Sequence, residues 1–267
     1  MINPEIGRGV LYPGAQAEIS SLTRIEPAAG LARLVEFYWL VRWELPSAAA
    51  YETKVLSHPN VHLVFEEPRP LLYGVDRGLF VRRLEGAGRV LGVKFRPGCF
   101  RPFAAGPVLR FADRRVPAAE VLGPAVDEVG RAVLAADDDG AIVRPVDAFL
   151  LSLLPAPDPI AEQIAVMVER IAAEPELVRV DQVADRFGIS VRRLQRLFAE
   201  YVGASPKWVL RRSRLHEAAT RADSGDGVDW AALAAELGYA DQAHLTRDFT
   251  AVVGEPPTRY ASGGGRR

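Results

Sequence analysis

One cysteine, two methionines and four histidines among 267 residues leave little material for thiol, thioether or imidazole chemistry. Cys99 alone excludes an internal disulfide and any metal site built from several thiolates. Long apolar runs are missing as well. No stretch approaches the ~18 consecutive apolar residues of a membrane-spanning helix. The opening segment MINPEIGRGVLYPG has neither the basic flank nor the apolar centre of a secretory signal. The expectation is a cytoplasmic protein with no membrane partner. An excess of charge is also absent: 33 Lys and Arg face 34 Asp and Glu, for a formal net charge of −1. There is therefore no global pull toward nucleic acid, and such a partner has to be met by a local patch. What is present is 49% hydrophobic and 25% charged residues, a globular composition over a length that suits two ordinary domains.

The segment LLPAPDPIAEQ (153 to 163) carries Pro155, Pro157 and Pro159. Each proline fixes its own φ and restricts the residue before it, so a compact element there is disfavoured, and the domain boundary is placed at 157/158. Before it, FYWLVRW, VHLVFEE, LFVRRLE and RVLGVKFRP are short, aromatic and β-branched segments separated by Gly, Pro, Asn and Asp, the pattern of strands. Helical periodicity follows at 118–136 and 141–154. After the boundary that periodicity takes over, predicting helices at about 160–173, 181–187, 190–201, 205–222, 229–237 and 241–252. Ser190, Ser205 and Asp241 are the expected N-caps, and Pro206 suits a first helical position. The fold class is α+β in two domains: residues 1–157 β-rich with flanking helices, residues 158–267 all-α.

The second half contains a duplication. VADRFGISVRRLQRLFAEYVGASP (183 to 206) lies over LAAELGYADQAHLTRDFTAVVGEPP (233 to 257). Ala184 and Gly188 match Ala234 and Gly238; Leu194, Phe198, Gly203 and Pro206 match Leu245, Phe249, Gly254 and Pro257, after one extra residue in the second turn. A small alanine lets a second helix cross closely, and the glycine four positions on permits a tight turn. A capping residue then restarts the chain, and Leu and Phe four apart pin the next helix by its inner face. This is a helix-turn-helix unit, present twice. The outward positions between the pins are Arg192, Arg193, Gln195 and Arg196 in the first copy and Gln242, Ala243, Thr246 and Arg247 in the second. Arg and Gln suit guanine and adenine edges in the major groove, and Thr and Ala can touch a thymine methyl. Between Arg186 and Arg214 the only acid is Glu200, against Arg186, Arg192, Arg193, Arg196, Lys207, Arg211, Arg212 and Arg214. Residues 158–267 as a whole are balanced, so a basic face opposite an acidic one is expected, with the first unit making more phosphate contacts than the second.

The paired units resemble the AraC/XylS family of bacterial transcriptional regulators over about 100 residues, and LAAELGYADQAHLTRDFTAVVGEPPTRY looks like that family's C-terminal signature. The resemblance implies a seven-helix module with both units on double-stranded DNA. It places base and backbone contacts at Arg192, Gln195, Arg196, Gln242, Ala243, Thr246 and Arg247. EFYWLV, VLSHPNVHLVFE and LGVKFRPG are similar to a poorly characterised β-rich domain found ahead of such modules, of cupin-like barrel type. A small-molecule effector, RNA polymerase and a second copy of the chain are the further partners expected of a regulator of this kind.

Other chemistry is weighed against plainer readings. His244 and Asp248, one helical turn apart, form an acid–base pair only if a concave pocket encloses them, and a protruding helix offers none. The alternative function is a cupin-like metal-dependent enzyme domain fused to a DNA-binding module. The cupin ligand pattern of two histidines separated by one residue, with an acid soon after, is missing. His58 and His62 on a strand lie ~13 Å apart, too far to share a metal. No catalytic residue, metal or cofactor is expected. Trp39, Trp43, Phe65, Tyr73 and Phe95 are candidates to line an effector pocket, with His62 and Arg96 as polar anchors; plain core is the competing reading. Cys99 is a redox sensor only if Arg96 and Arg101 lower its thiol pKa; otherwise it is a packed thiol.

Overall fold

A computed structural model describes residues 9–224 and 227–263. The first eight residues of the segment expected to lack a secretory signal lie outside the described residues. Helix α1 (Pro13–Ile19) leads into β1 (Ser20–Ile25) and β2 (Val35–Glu44), followed by β3 (Ala50–Val55), β4 (His62–Phe65), β5 (Leu71–Tyr73), β6 (Phe80–Glu85), β7 (Ala87–Phe95) and β8 (Arg115–Pro117). Six of these form an antiparallel sheet in the order β1-β2-β7-β4-β5-β8, and β3 pairs with β6 as a second, two-stranded sheet. The amino-terminal half is thus β-rich as expected, with two separate sheets in place of a barrel closed by hydrogen bonds.

Strand alternation assigns the two faces of the large sheet. On β2, Tyr38 and Leu40 are buried toward the helices, and the Tyr38 hydroxyl donates to Asp147 at 2.7 Å. Those helices are α2 (Ala119–Leu122), α3 (Ala125–Ala135) and α4 (Asp139–Ser152), whose Val126, Val133, Ile142, Val146 and Leu150 join Leu63, Phe65, Leu72, Leu91, Val93 and Phe95 in one core. The opposite face carries Phe37, Trp39, Val41 and Trp43 and looks toward β3 and β6. There the register sets Trp39 opposite Gly92 and Trp43 opposite Gly88. A Cβ on Gly92 would sit 2.0 Å from the Trp39 ring, and one on Gly88 2.4 Å from the Trp43 ring. Only glycine lets each indole lie across the neighbouring strand.

Seven helices follow: α5 (Pro159–Ala173), α6 (Val180–Arg186), α7 (Val191–Leu197) with a π turn over Phe198–Val202, α8 (Pro206–Asp223), α9 (Trp230–Glu236), α10 (Gln242–Val253) and α11 (Pro257–Ala261). The boundary at 157/158 falls between α4 and α5, where Asp158 caps α5 by accepting from the Ile160 and Ala161 amides. Helix α11 has no counterpart among the helices predicted from periodicity; it is a single short turn started by Pro257. Helix α8 is the strut. Its first half, through Val209 and Leu210, packs with α5 to α7; its second half, through Leu215, Ala218, Ala219 and Ala222, packs with α9 to α11.

The amino-terminal half docks on this strut and on both flanks. The backbone carbonyl of Arg77 accepts from Trp208 Nε1 at 3.1 Å and, together with that of Gly78, from Arg212. Arg101 Nε meets Glu200 at 2.6 Å beside the first unit. The Tyr12 ring packs on Tyr260 beside the second, with centroids 4.6 Å apart.

Candidate functional site

The two units are built by the same residues. Ala184 and Ala234 are buried where the helices of each unit cross, and Gly188 and Gly238 take φ of 63° and 70° in the turns. Ser190 caps α7 by accepting from the Arg193 amide at 3.2 Å; Asp241 caps α10 by accepting from the His244 amide at 2.7 Å. The extra residue of the second copy is Ala240, inserted between turn and cap. Leu194 and Phe198, and likewise Leu245 and Phe249, are fully buried. Gly203 and Gly254 end the helices in the left-handed region at φ 86° and 92°. Ser205 caps α8 by accepting from Trp208, and Pro206 and Pro257 open the helices that follow each unit.

This pinning turns the remaining side chains outward. Arg192, Arg193, Gln195 and Arg196 are exposed on α7; Gln242, Ala243 and Arg247 are exposed on α10, with Thr246 half-buried beside them. Among the described residues none of the arginine or glutamine side chains in these two sets forms an ion pair or hydrogen bond. They are left free to meet phosphates and base edges.

Asp248, by contrast, faces inward. Its carboxylate accepts from Arg211 Nε at 2.9 Å and from the Tyr239 hydroxyl at 3.1 Å. The His244 ring stands edge-on to Tyr239 at 5.1 Å, and the Arg214 guanidinium lies 4.6 Å from the same tyrosine ring. Asp248 therefore braces α10 against α8 and has no pocket to share with His244. Sequence spacing placed the two residues on one turn but carried no sign of the Arg211 partner 37 positions away.

A cavity of about 200 Å3 lies between the two sheets. Trp39, Trp43, His62 and Tyr73 line it, together with Phe37, Phe80, Arg24, Arg82 and Lys94, which sequence reasoning did not single out. Their signal was strand register: Phe37 shares the cavity face of β2 with both tryptophans. Trp39 Nε1 donates to His62 Nδ1 at 3.0 Å, so the imidazole acts as an acceptor and is neutral. Burial, with Lys94 and Arg115 nearby, pushes the His62 pKa down to about 3. The Tyr73 hydroxyl hydrogen-bonds Glu66, which also meets Arg82 at 2.5 Å. The remaining sequence candidates sit elsewhere. Phe65 and Phe95 belong to the core on the helix side, and Arg96 lines a different, interdomain cleft. His58 stacks on His216 of α8, centroids 3.9 Å apart, whereas His62 is held by Trp39. Among the described residues no three His, Cys, Asp or Glu side chains gather as a metal-ligand set. Cys99 is buried and its thiol is pushed up to about 11, because desolvation outweighs the nearby Arg96. It is a packed thiol.

Among the described residues no helix is long and apolar enough to cross a membrane. Residues 23–117 match a domain of unknown function, DUF6597, and residues 183–263 match a helix-turn-helix domain family across both units. Among solved structures, the C-terminal domain of AraT, a response regulator from Geobacillus stearothermophilus, is similar at 20% identity, covering 40% of this chain and 86% of that one, with a TM-score of 0.34. ToxT from Vibrio cholerae O395 is similar at 10% identity, covering 93% and 98%, with a TM-score of 0.39. A second ToxT structure, bound to (E)-4-(8-methylnaphthalen-1-yl)but-3-enoic acid, aligns at 9% identity over 91% and 97%, with a TM-score of 0.40. No curated protein matches the chain. With two helix-turn-helix units on one strut behind a DUF6597 domain, the chain is built as a DNA-binding transcriptional regulator.

Proposed function

We propose that α7 and α10 enter adjacent major-groove segments on one face of the DNA, and that the amino-terminal domain governs their engagement through a small-molecule effector held between its sheets. The observation that carries the first part is the pair of exposed Arg/Gln faces, each pinned by the same buried Leu and Phe and neither engaged by the amino-terminal domain. Helix α8 spans 18 residues, about 27 Å at ~1.5 Å per residue, a strut on the scale of the ~34 Å helical repeat of DNA. The second part is supported by the cavity itself. Aromatic walls at Phe37, Trp39, Trp43 and Phe80 favour a flat, mostly apolar ligand, with His62 and Tyr73 as polar handles.

The reading is of a cytoplasmic regulator and not an enzyme. His58 and His62, the two histidines of the amino-terminal half, are held by different partners, His216 and Trp39. A second copy and RNA polymerase are the protein partners proposed. Leu151, Leu154 and Ile160, exposed around the α4–α5 junction, offer apolar surface for the copy. The test is titration of a genomic fragment selected by the full-length protein at two salt concentrations. Specific binding that weakens steeply with salt is expected. Equal affinity for the selected and a scrambled fragment would refute the reading. For the cavity, the expected result is saturable quenching of tryptophan emission by planar aromatic ligands that is lost in Trp39→Ala; quenching that survives the substitution would contradict it.

A further inference from the structure

The connection between β5 and β6, residues 74–79, walls the aromatic cavity and holds the strut at once. Asp76 lines the cavity from within this connection, and Tyr73 and Phe80 line it from the two ends. Between these wall positions the chain meets the carboxy-terminal helices. Val75, 1% exposed, belongs to the buried cluster of the first unit, with Leu194 and Phe198. The carbonyls of Arg77 and Gly78 accept from Trp208 and Arg212 of α8. Leu79 packs against the cluster that contains Leu215 of α8 and Leu245 and Phe249 of the second unit.

The segment is also stiff. The Gly74 amide donates to the Arg114 carbonyl at 3.1 Å, the Asp113 amide to the Val75 carbonyl at 3.0 Å, and the Arg77 amide to the Asp113 carboxylate at 2.7 Å. A Cβ on Gly74 would lie 1.8 Å from the Phe111 carbonyl oxygen, so only glycine lets the two backbones approach this closely. Asp76 accepts two parallel bonds from Arg115, each of 2.9 Å, and that guanidinium lies 3.9 Å from the Tyr73 ring. A close-packed segment with this many fixed points passes a displacement on where a loose loop would absorb it.

The geometry points to the 74–79 connection as the relay by which occupancy of the aromatic cavity acts on the strut and on the first unit. The inference rests on the reading of that cavity as an effector seat and assigns how the seat is coupled. A ligand that presses on Tyr73, Asp76 or Phe80 shifts a segment whose next carbonyls are bonded to the first half of α8. Coupling of this kind is reciprocal: whatever reorients α8, DNA included, changes the affinity of the cavity by the same factor.

Spatial continuity alone does not demonstrate coupling, so the experiment reads both ends at once. The full chain is labelled with fluorotryptophan, and its four fluorine resonances are assigned by replacing each tryptophan in turn with phenylalanine. Trp39 and Trp43 report the cavity, and Trp208 reports the strut. On titration with indole, a flat and mostly apolar probe, all three resonances should move with one midpoint. A second arm needs no ligand. Val41→Phe fills part of the cavity from β2 and should displace the Trp208 resonance by itself, with Leu22→Phe serving if that variant does not fold. Arg115→Gln, which cuts the clamp on Asp76 from outside the cavity, should at least halve the Trp208 response to indole while the Trp39 midpoint stays within twofold. Trp39 and Trp43 moving with Trp208 still would overturn the relay and leave the effector seat standing. Trp208 displaced by Val41→Phe, with no response of Trp39 or Trp43 to indole, would support the relay and count against a flat apolar effector. A Trp208 resonance unmoved by both indole and the filling substitution would overturn the assignment.

Discussion

Arg196 and Arg247 occupy equivalent places on the two recognition faces, exposed and without protein partners among the described residues. Arg196→Ala and Arg247→Ala should each weaken specific DNA binding by about 1–3 kcal/mol, with thermal midpoints unchanged, because neither side chain supports the fold. Wild-type affinity in both variants would show that the readers lie elsewhere. His62 makes the opposite kind of prediction, one of stability. Its folded pKa lies near 3, well below the 6.5 of an unhindered imidazole. Below pH 6.5 the unfolded chain therefore takes up a proton that the folded protein refuses. The stability this neutral imidazole confers is complete above pH 6.5 and drains away as pH falls toward 3. His62→Gln, which keeps an acceptor for Trp39 Nε1 but does not titrate, should lose less thermal stability between pH 7.5 and 5 than the wild type. Parallel pH curves for the two proteins would sink this account of the Trp39–His62 pair.

At the scale of elements, sister positions separate local strain from domain contact. Gly203 and Gly254 both end a recognition helix at positive φ. A Cβ on Gly254 meets open space, whereas one on Gly203 meets Val108 of the amino-terminal half at 3.1 Å. Gly254→Ala should cost about 1 kcal/mol, the left-handed penalty alone. Gly203→Ala should cost more, measured as denaturant midpoints in the full chain; equal costs would mean that the 108 segment yields freely. The duplication made these helices legible in the sequence because helix-turn-helix geometry is local: cap, turn glycine and pins all fall within about two dozen residues. The N-caps at Ser190, Ser205 and Asp241 could be read for the same reason. Strands β1, β3, β5 and β8 were not legible. Their residues alternate weakly, and their partners are set by pairings such as Leu72↔Val116 between distant segments. The cavity was half legible. Aromatic strands nominated Trp39, Trp43 and Tyr73, but only the register against Gly88 and Gly92 shows which face of β2 is open, and hence why Phe65 and Phe95 are core.

Across the whole molecule, the near-neutral total charge hides a division of labour. The arginines of the two reading faces are exposed and unpaired among the described residues, while the side chains of Arg101, Arg211 and Arg212 hold domains and units together. The amino-terminal half touches the strut and both flanks but not the reading faces, so the docked arrangement leaves them open to DNA. Breaking the Arg101–Glu200 contact with Arg101→Ala should loosen the first unit's tie and change DNA affinity without altering the preferred sequence; a changed sequence preference would contradict a purely positional role for it. The most direct test of the central claim is hydroxyl-radical footprinting of the full-length protein on its selected DNA site. Two protected segments about one helical turn apart on the same face of the duplex are predicted, with Arg196→Ala fading one and Arg247→Ala fading the other. A single protected segment, or one on which both substitutions act alike, would contradict the claim that both units read DNA.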